Sequence, residues 1–361
     1  VRYGGGGSMN LAVSDGAVSD YVLSGIVRRD RSLVQYSAIL TDSRTGVVMW
    51  NHTVAIPALQ ASQGDVLDEV SRRLSLILGS PRGPLHGAAR DLLAQAPLPG
   101  DQTNLYLCRM LFQSYRDSAA ATGATQTRAC MRDLPEAARS SATGLAISSS
   151  LLAEETVEPV DQKLSPAERL TLAEAGLDRA VGLAPVSGFV WEQHARLRQT
   201  MAQFDQAKAD YGSAIQLNPA SGDALAGFAR LLAFAGDVAG AQTMATDAVE
   251  GTPDPPDWYF GVPALLALRA GNNAAAIENA VRYARADPEL GPILAILAGQ
   301  RGRNDTIVNR YLAQVLDVPR FRAIGVLPRL QQRVQDVALL EQIRGSLGAA
   351  GVPEQALDGP F

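Results

Sequence analysis

Prolines recur along the second half of the chain at a nearly fixed period. Ala184-Pro185, Asn218-Pro219, Thr252-Pro253, Asp287-Pro288 and Val318-Pro319 lie 34, 34, 35 and 31 residues apart. Twelve residues before each proline stand Ala173, Ala207, Ala241, Ala276 and Ile307. Five residues before stand Ala180, Ala214, Ala248, Tyr283 and Gln314, and six after the first four prolines stand Trp191, Leu225, Tyr259 and Leu294. A period of this length means that one supersecondary unit is repeated and buries its apolar face only against its neighbours. Small residues belong where two helices cross closely, and large apolar ones where the next unit must be reached. Proline closes the second helix of each unit, because it lacks an amide donor and biases the residue before it away from helical geometry.

The clearest unit, Phe204–Pro219, closely resembles the second helix of a tetratricopeptide repeat. The register decays toward Ile307 and Gln314, as expected of terminal units, which expose one face. The resemblance implies a mainly α chain whose second half is an α-α superhelix. The concave face of such a superhelix binds peptides or packs against another domain.

Residues 20–56 follow a different period. Tyr21–Val27 is β-rich and bounded by charge. Val34, Tyr36, Ala38 and Leu40 alternate onto one face of a second strand. Asp42–Gly46 is a turn, and a third strand begins at Val47 and ends before Pro57. The pattern predicts a three-stranded antiparallel meander. A helix from about Leu59 to Leu78 follows, with Val66, Val70, Leu74 and Leu78 on its buried face.

Tyr21, Val22, Leu23, Gly25, Val27, Arg28, Arg29, Ala38, Leu40, Asp42, Thr45, Gly46 and Trp50 resemble, in order, the later part of the TolB-like α/β domain. That domain precedes tetratricopeptide repeats in many bacterial signalling proteins. Tyr106–Cys108, Cys130, Trp258-Tyr259 and Ala349–Pro353 extend the likeness. The first strand and helices of such a domain have no counterpart here, so the resemblance implies a small, truncated α/β domain. It divides the chain into a linker (1–9), the truncated domain (10–82), a helical connection (83–160), the repeats (161–350) and a tail (351–361). Val1–Met9, with its four glycines and serine, reads as a flexible linker. It is either of artificial origin or the joint to a piece of another domain.

The resemblance also implies a role. The sensory part of CadC- and ToxR-type regulators, or of related class III adenylate cyclases, is built this way. In the membrane-anchored regulators it lies in the periplasm. The expectation is therefore a sensory, protein-binding region of a membrane-anchored bacterial regulator that controls a separate output domain acting in transcription. DNA and membrane would be reached only through parts absent from this sequence. The partner would be a protein or peptide, with a small-molecule ligand as a further option. The alternative is a non-signalling adaptor that holds a partner in the groove.

Composition agrees with a folded binding protein. Hydrophobic residues make up 47% and charged residues 19%, so a sizeable core is available. The net charge of −5 comes with no cluster of Lys and Arg that would suit nucleic acid. No apolar run reaches the roughly 18 residues of a membrane span, and no signal peptide is present. A periplasmic location would thus require a targeting segment that has been removed. His52, His86 and His194 lie far apart, no metal-ligand spacing occurs, and no phosphate loop or hydrolase motif is found. Neither an enzyme nor a cofactor is expected.

Cys108 and Cys130 are the only cysteines. A helical hairpin turning near Thr122–Ala124 would set them opposite each other. They are either two buried free thiols or, as the pairing and the family context imply, a disulfide closing a loop of about twenty residues, worth roughly 3 kcal/mol. Two groups are candidates for binding. Arg28 and Arg29, with Arg44 expected in a neighbouring turn, could meet an acidic partner or form a solvated strand end. Trp191, Tyr211, Trp258 and Tyr259 could line the groove or fill the core; Trp258, after Asp254–Asp257, is the one expected to be exposed. Finally, a three-stranded sheet with one helix has an open edge. Residues 1–15, a second copy of the chain or a partner strand are candidates to close it.

Overall fold

A computed structural model describes residues 20–58, 65–95, 103–118, 121–154 and 164–361. The chain divides into two compact units, one up to Gly87 and one from Ala88.

In the first unit, β1 (Tyr21–Arg29), β2 (Leu33–Asp42) and β3 (Val48–Pro57) form an antiparallel meander in the order β1-β2-β3. The register places Leu40 opposite both Leu23 and Trp50. The Asp42 carboxylate fixes the second turn by accepting the amides of Arg44 and Thr45 at 2.8 and 2.9 Å. Those bonds hold Asp42 below its ordinary pKa. Gly46 completes the turn at φ +71°, which glycine adopts without a Cβ clash. Val34, Ala38 and Leu40 are buried on the expected face. Val54 and Ile56 pack there against Val66 and Val70 of helix α1 (Asp65–Gly79), with Tyr36 and Leu74 at the margin. Toward its end α1 buries Leu76 and Ile77, with Leu78 only partly covered. The predicted start at Leu59 and a pairing by residues 1–15 lie outside the described residues.

The second unit is helical. After α2 (Gly87–Gln95), α3 (Leu105–Ser118) and α4 (Ala121–Asp133) are joined by the Cys108–Cys130 disulfide. Thr122–Ala124, expected as the link, belong to α4. Gly123 there lets α4 approach α3: a Cβ on it would lie 3.1 Å from the Tyr115 Cβ. The bridge sits in a core with Phe112, Tyr115, Met131, Ile147 and Leu151. A short α5 (Glu136–Arg139) leads to α6 (Ala142–Ala153).

The repeats follow. Helix α6 pairs with α7 (Pro166–Leu183), α8 (Gly188–Thr200) with α9 (Phe204–Leu217), and α10 (Gly222–Phe234) with α11 (Val238–Gly251). Then α12 (Gly261–Arg269) pairs with α13 (Asn273–Ala286), and α14 (Leu290–Arg301) with α15 (Asp305–Asp317). Each second helix ends two residues before its proline, so the sequence period is the structural period. The tetratricopeptide-like superhelix preceded by a small sheet is the fold.

The causes repeat as well. Ala173, Ala180, Ala207, Ala214, Ala241, Ala248 and Ala276 are fully buried. Ser187 and Ser221 cap first helices, accepting the amides of Val190 and Ala224. Asp237, Asn272 and Asn304 cap second helices in the same manner, each cap contributing about 1 kcal/mol. The hairpin turns place Ala202, Gly236, Gly271 and Arg303 at φ +59°, +100°, +73° and +52°. The last unit departs from the expected register: Gln314 is exposed, and Val308, Tyr311 and Val315 are buried in its place. With only 31 residues between its prolines, the unit buries a stripe moved by one residue.

Helices α16 (Pro319–Ile324), α17 (Val326–Gln331), α18 (Val337–Ala349) and α19 (Glu354–Asp358) close the array. The end of the chain is packed too, with Ala356 and Leu357 buried. The backbone amides of Gln335 and Asp336 donate to the Phe234 carbonyl at 2.8 and 3.0 Å, tying this end to α10.

Candidate functional site

The first helices of the repeats carry a cluster of charges that periodicity alone did not single out. Arg196 on α8 and Arg230 on α10 stand 34 residues apart, at the same position of successive units. Their guanidinium carbons lie 4.9 and 5.7 Å from the centre of the Trp258 indole. Trp258 sits in a 3-10 turn, Asp257–Phe260, which the preceding Pro255 and Pro256 force at the entry to α12.

Two acids belong to the same cluster. Glu192, one helical turn before Arg196, is 3.4 Å from it and accepts the Gln193 amide at 3.1 Å. Asp223, in the first turn of α10, accepts the Tyr259 hydroxyl at 2.9 Å. Both acids are buried. Burial, with the Asp223 charge beside it, pushes the Glu192 carboxyl up to about 8, against the pull of Arg116 and Arg109.

Helix α3 packs near this cluster. Arg109 lies over the Phe189 ring at 4.3 Å, and Phe112 meets the same ring edge-on at 6.3 Å. Arg116 pairs with Glu154. Burial lowers the pKa of both guanidinium groups, although Arg109 keeps part of its length in water. The disulfide thus anchors the helix that carries Arg109 and Arg116.

The residues predicted for binding divide sharply. Tyr211 and Tyr259 are 0% and 2% exposed and belong to the core. Trp191 is half-buried, and its indole donates to the Pro185 carbonyl at 2.8 Å, fastening its own turn. Trp258 is 6% exposed, which corrects the expectation of an exposed ring: the 3-10 turn folds it inward, within 6 Å of two guanidinium groups. Arg28, Arg29 and Arg44 are exposed. However, Arg44 follows β2 while Arg28 and Arg29 end β1, and the register pairs Arg29 with Val34 and Tyr21 with Asp42. In a meander these are opposite ends of the sheet, so the three arginines form no common patch. Among the described residues no group of three or more potential ligands could hold a metal ion, and no helix is long and apolar enough to cross a membrane.

The sequence-missed residues are Glu192, Arg196, Asp223, Arg230, Arg109 and Arg116. Arg196 and Arg230 were available from the period itself. Arg109 and Arg116 were not, because only tertiary packing brings α3 to the repeats.

A family model described as tetratricopeptide repeat matches residues 200–268, which span α9 to α12. A comparison with curated proteins finds no match. Among solved structures the chain is similar to Pseudomonas aeruginosa pilF, with 13% identity, a TM-score of 0.42, and 60% of this chain and 91% of that one covered. It is also similar to YrrB, a tetratricopeptide protein with an unusual peptide-binding site (16%, TM-score 0.34, 56% and 94% covered). Yeast Tom70 is a third (14%, TM-score 0.33, 76% and 61% covered). No enzymatic family is indicated. The repeats, their caps and the family match over residues 200–268 together give a tetratricopeptide-like array, an architecture that suits a protein-binding scaffold.

Proposed function

We propose that this chain is the sensory, protein-binding region of a membrane-anchored bacterial signalling regulator. It holds a protein or peptide partner on its repeat array in the periplasm and passes a change of conformation to an output domain. The observation that supports the binding role is the tetratricopeptide-like repeat array itself, in which the first helices of consecutive units bring Arg196 and Arg230 to the Trp258 ring. A disulfide between the only two cysteines supports an oxidising compartment. The signalling role rests on the resemblance of residues 20–50 to the TolB-like domain of bacterial regulators.

Site-specific photo-crosslinking tests the reading. A benzophenone amino acid at Tyr106, which is exposed on α3, in the natural full-length protein should capture one partner in the periplasm. The same partner should change the protein's output. Capture without any change of output would favour the non-signalling adaptor, and a cytoplasmic location of the repeats would overturn the proposal.

A further inference from the structure

The two edges of the sheet differ. The pairing of β3 is irregular at Leu40/Thr41, and the strand closes on Pro57; bulges and prolines keep further strands from adding to an edge. Strand β1 has neither a bulge nor a proline over its nine residues, and its charges stand only at its ends.

The ladder shows which backbone groups of β1 face outward. Asp20 accepts the Ser43 amide at 3.0 Å, and the Asp30 amide donates to Leu33 at 2.8 Å. Both pairs continue the β1–β2 register, so the even-numbered residues of β1 bond to β2. The amides and carbonyls of Tyr21, Leu23, Gly25, Val27 and Arg29 point the other way, where no strand pairs with them among the described residues. The same flank lacks a helix. Helix α1 packs on Val54, Ile56 and Tyr36 of β3 and β2, because a helix about 10 Å across covers two strands spaced about 4.8 Å apart. Val27 of β1 is left 59% exposed.

We propose that β1 pairs antiparallel with β1 of a second copy of this chain, about a two-fold axis at Ser24, so that two three-stranded sheets become one continuous sheet. An axis perpendicular to the sheet sets one residue opposite itself, and charge selects which. Centred on Ser24, the pairing sets Asp20 opposite Arg28 of the second copy at both ends. Val22 meets Ile26 of the second copy on one face, and Tyr21 covers its Val27 on the other. The outward-facing groups then bond, Leu23 with Gly25 of the second copy and Tyr21 with its Val27. Moving the centre to Gly25 would set Asp20 opposite Asp30 and Val22 opposite Arg28, and moving it to Leu23 would set Asp20 opposite Ile26. Opposite charges facing each other across strands stabilise the pair and like charges destabilise it, which favours Ser24. The inference concerns assembly and does not depend on the signalling role.

Ser24→Cys tests the axis. At a non-hydrogen-bonded site of this kind two Cα atoms stand about 4.5 Å apart, within the range that a disulfide spans. Cys108 and Cys130 are already bridged, so the full chain carrying Ser24→Cys should form a covalent dimer under mild oxidation. Ile26→Cys should not, since its two copies would stand about 13 Å apart along the strands. Sedimentation equilibrium reads the affinity. Asp20→Arg should weaken the dimer about tenfold, and adding Arg28→Asp should restore it, with circular dichroism showing an unchanged fold in both. A monomer at every concentration, equal affinity in the folded Asp20→Arg protein, no recovery in the exchange variant, or linking of Ile26→Cys as efficient as that of Ser24→Cys would overturn the proposal. A monomer that still captured its partner by crosslinking would leave the binding role standing, so the two readings fail separately.

Discussion

Replacing Glu192 by glutamine probes the electrostatics of this charged cluster directly. The carboxyl is 5% exposed and pushed up from 4.5 to about 8, first by burial and then by the Asp223 charge. In the unfolded chain it ionises near its ordinary value, so between the two values the folded protein holds a proton that the unfolded chain releases. The stability contributed by the neutral carboxyl is fully present below about 4.5 and is lost as the pH rises through about 8. At about 1.4 kcal/mol per pH unit, that interval sets a ceiling of about 5 kcal/mol on the loss. Glutamine keeps the shape and cannot ionise. In urea titrations followed by circular dichroism, native protein and Glu192→Gln should therefore unfold at similar midpoints at pH 5. By pH 8.5 the native midpoint should fall well below that of the variant. Parallel pH profiles would mean that Arg196, 3.4 Å away, keeps Glu192 ionised throughout, and the reasoning would be refuted.

Four further outcomes are expected. Gly227→Ala and Gly261→Ala would bring a Cβ within 2.7 Å of the Tyr211 hydroxyl and 2.8 Å of the Tyr283 ring; each should cost about 1–3 kcal/mol, and unchanged melting temperatures would show that the rings yield freely. Ala202→Gly should be neutral or stabilising by up to about 1 kcal/mol, since the left-handed conformation burdens alanine more than glycine's extra unfolded-state freedom does, whereas Gly236→Ala at the equivalent turn should destabilise. Reduction of the Cys108–Cys130 bridge should lower stability by about 3 kcal/mol, and mass spectrometry of unreduced, alkylated protein should find no labelled cysteine. If a second copy closes the β1 edge, sedimentation should show a dimer that Leu23→Pro returns to monomer, because proline removes a ladder donor; a monomer at high concentration excludes that arrangement.

The repeat architecture was legible in sequence because its causes are local and periodic. Prolines end helices, alanines fill crossings and polar caps open them, so Ala173 through Ala276 could be placed in the core by counting alone. The meander was legible for a similar reason: Asp42–Gly46 is a turn by its own chemistry, and the alternation of Val34, Ala38 and Leu40 fixes the face. Counting failed where the period changed. Between Pro288 and Pro319 three residues are missing from the repeat, and the buried stripe moved from Gln314 to Val315. It failed also for Thr122–Ala124, whose glycine serves close packing of α4 on Tyr115 and not a loop.

The site was less legible, because what a side chain does there depends on its partners and not on its type. Tyr211, Tyr259 and Trp258 have the composition of a binding surface, yet two of them fill the core and the third is flanked by arginines. Asp287 shows how strongly context decides. Burial alone would raise its pKa, but Arg333 offsets this and, with the Leu290 amide and Tyr283 hydroxyl, holds Asp287 below the usual carboxylate range. Glu192, equally buried, moves in the opposite direction: burial raises it, the Asp223 charge adds to this, and Arg116 and Arg109 offset only part of the rise. The same residue types therefore build a charged clasp at one place and hold a carboxyl well above its usual range at another. That difference appears only when each side chain is traced to its partners, because the residue type alone is the same in both places.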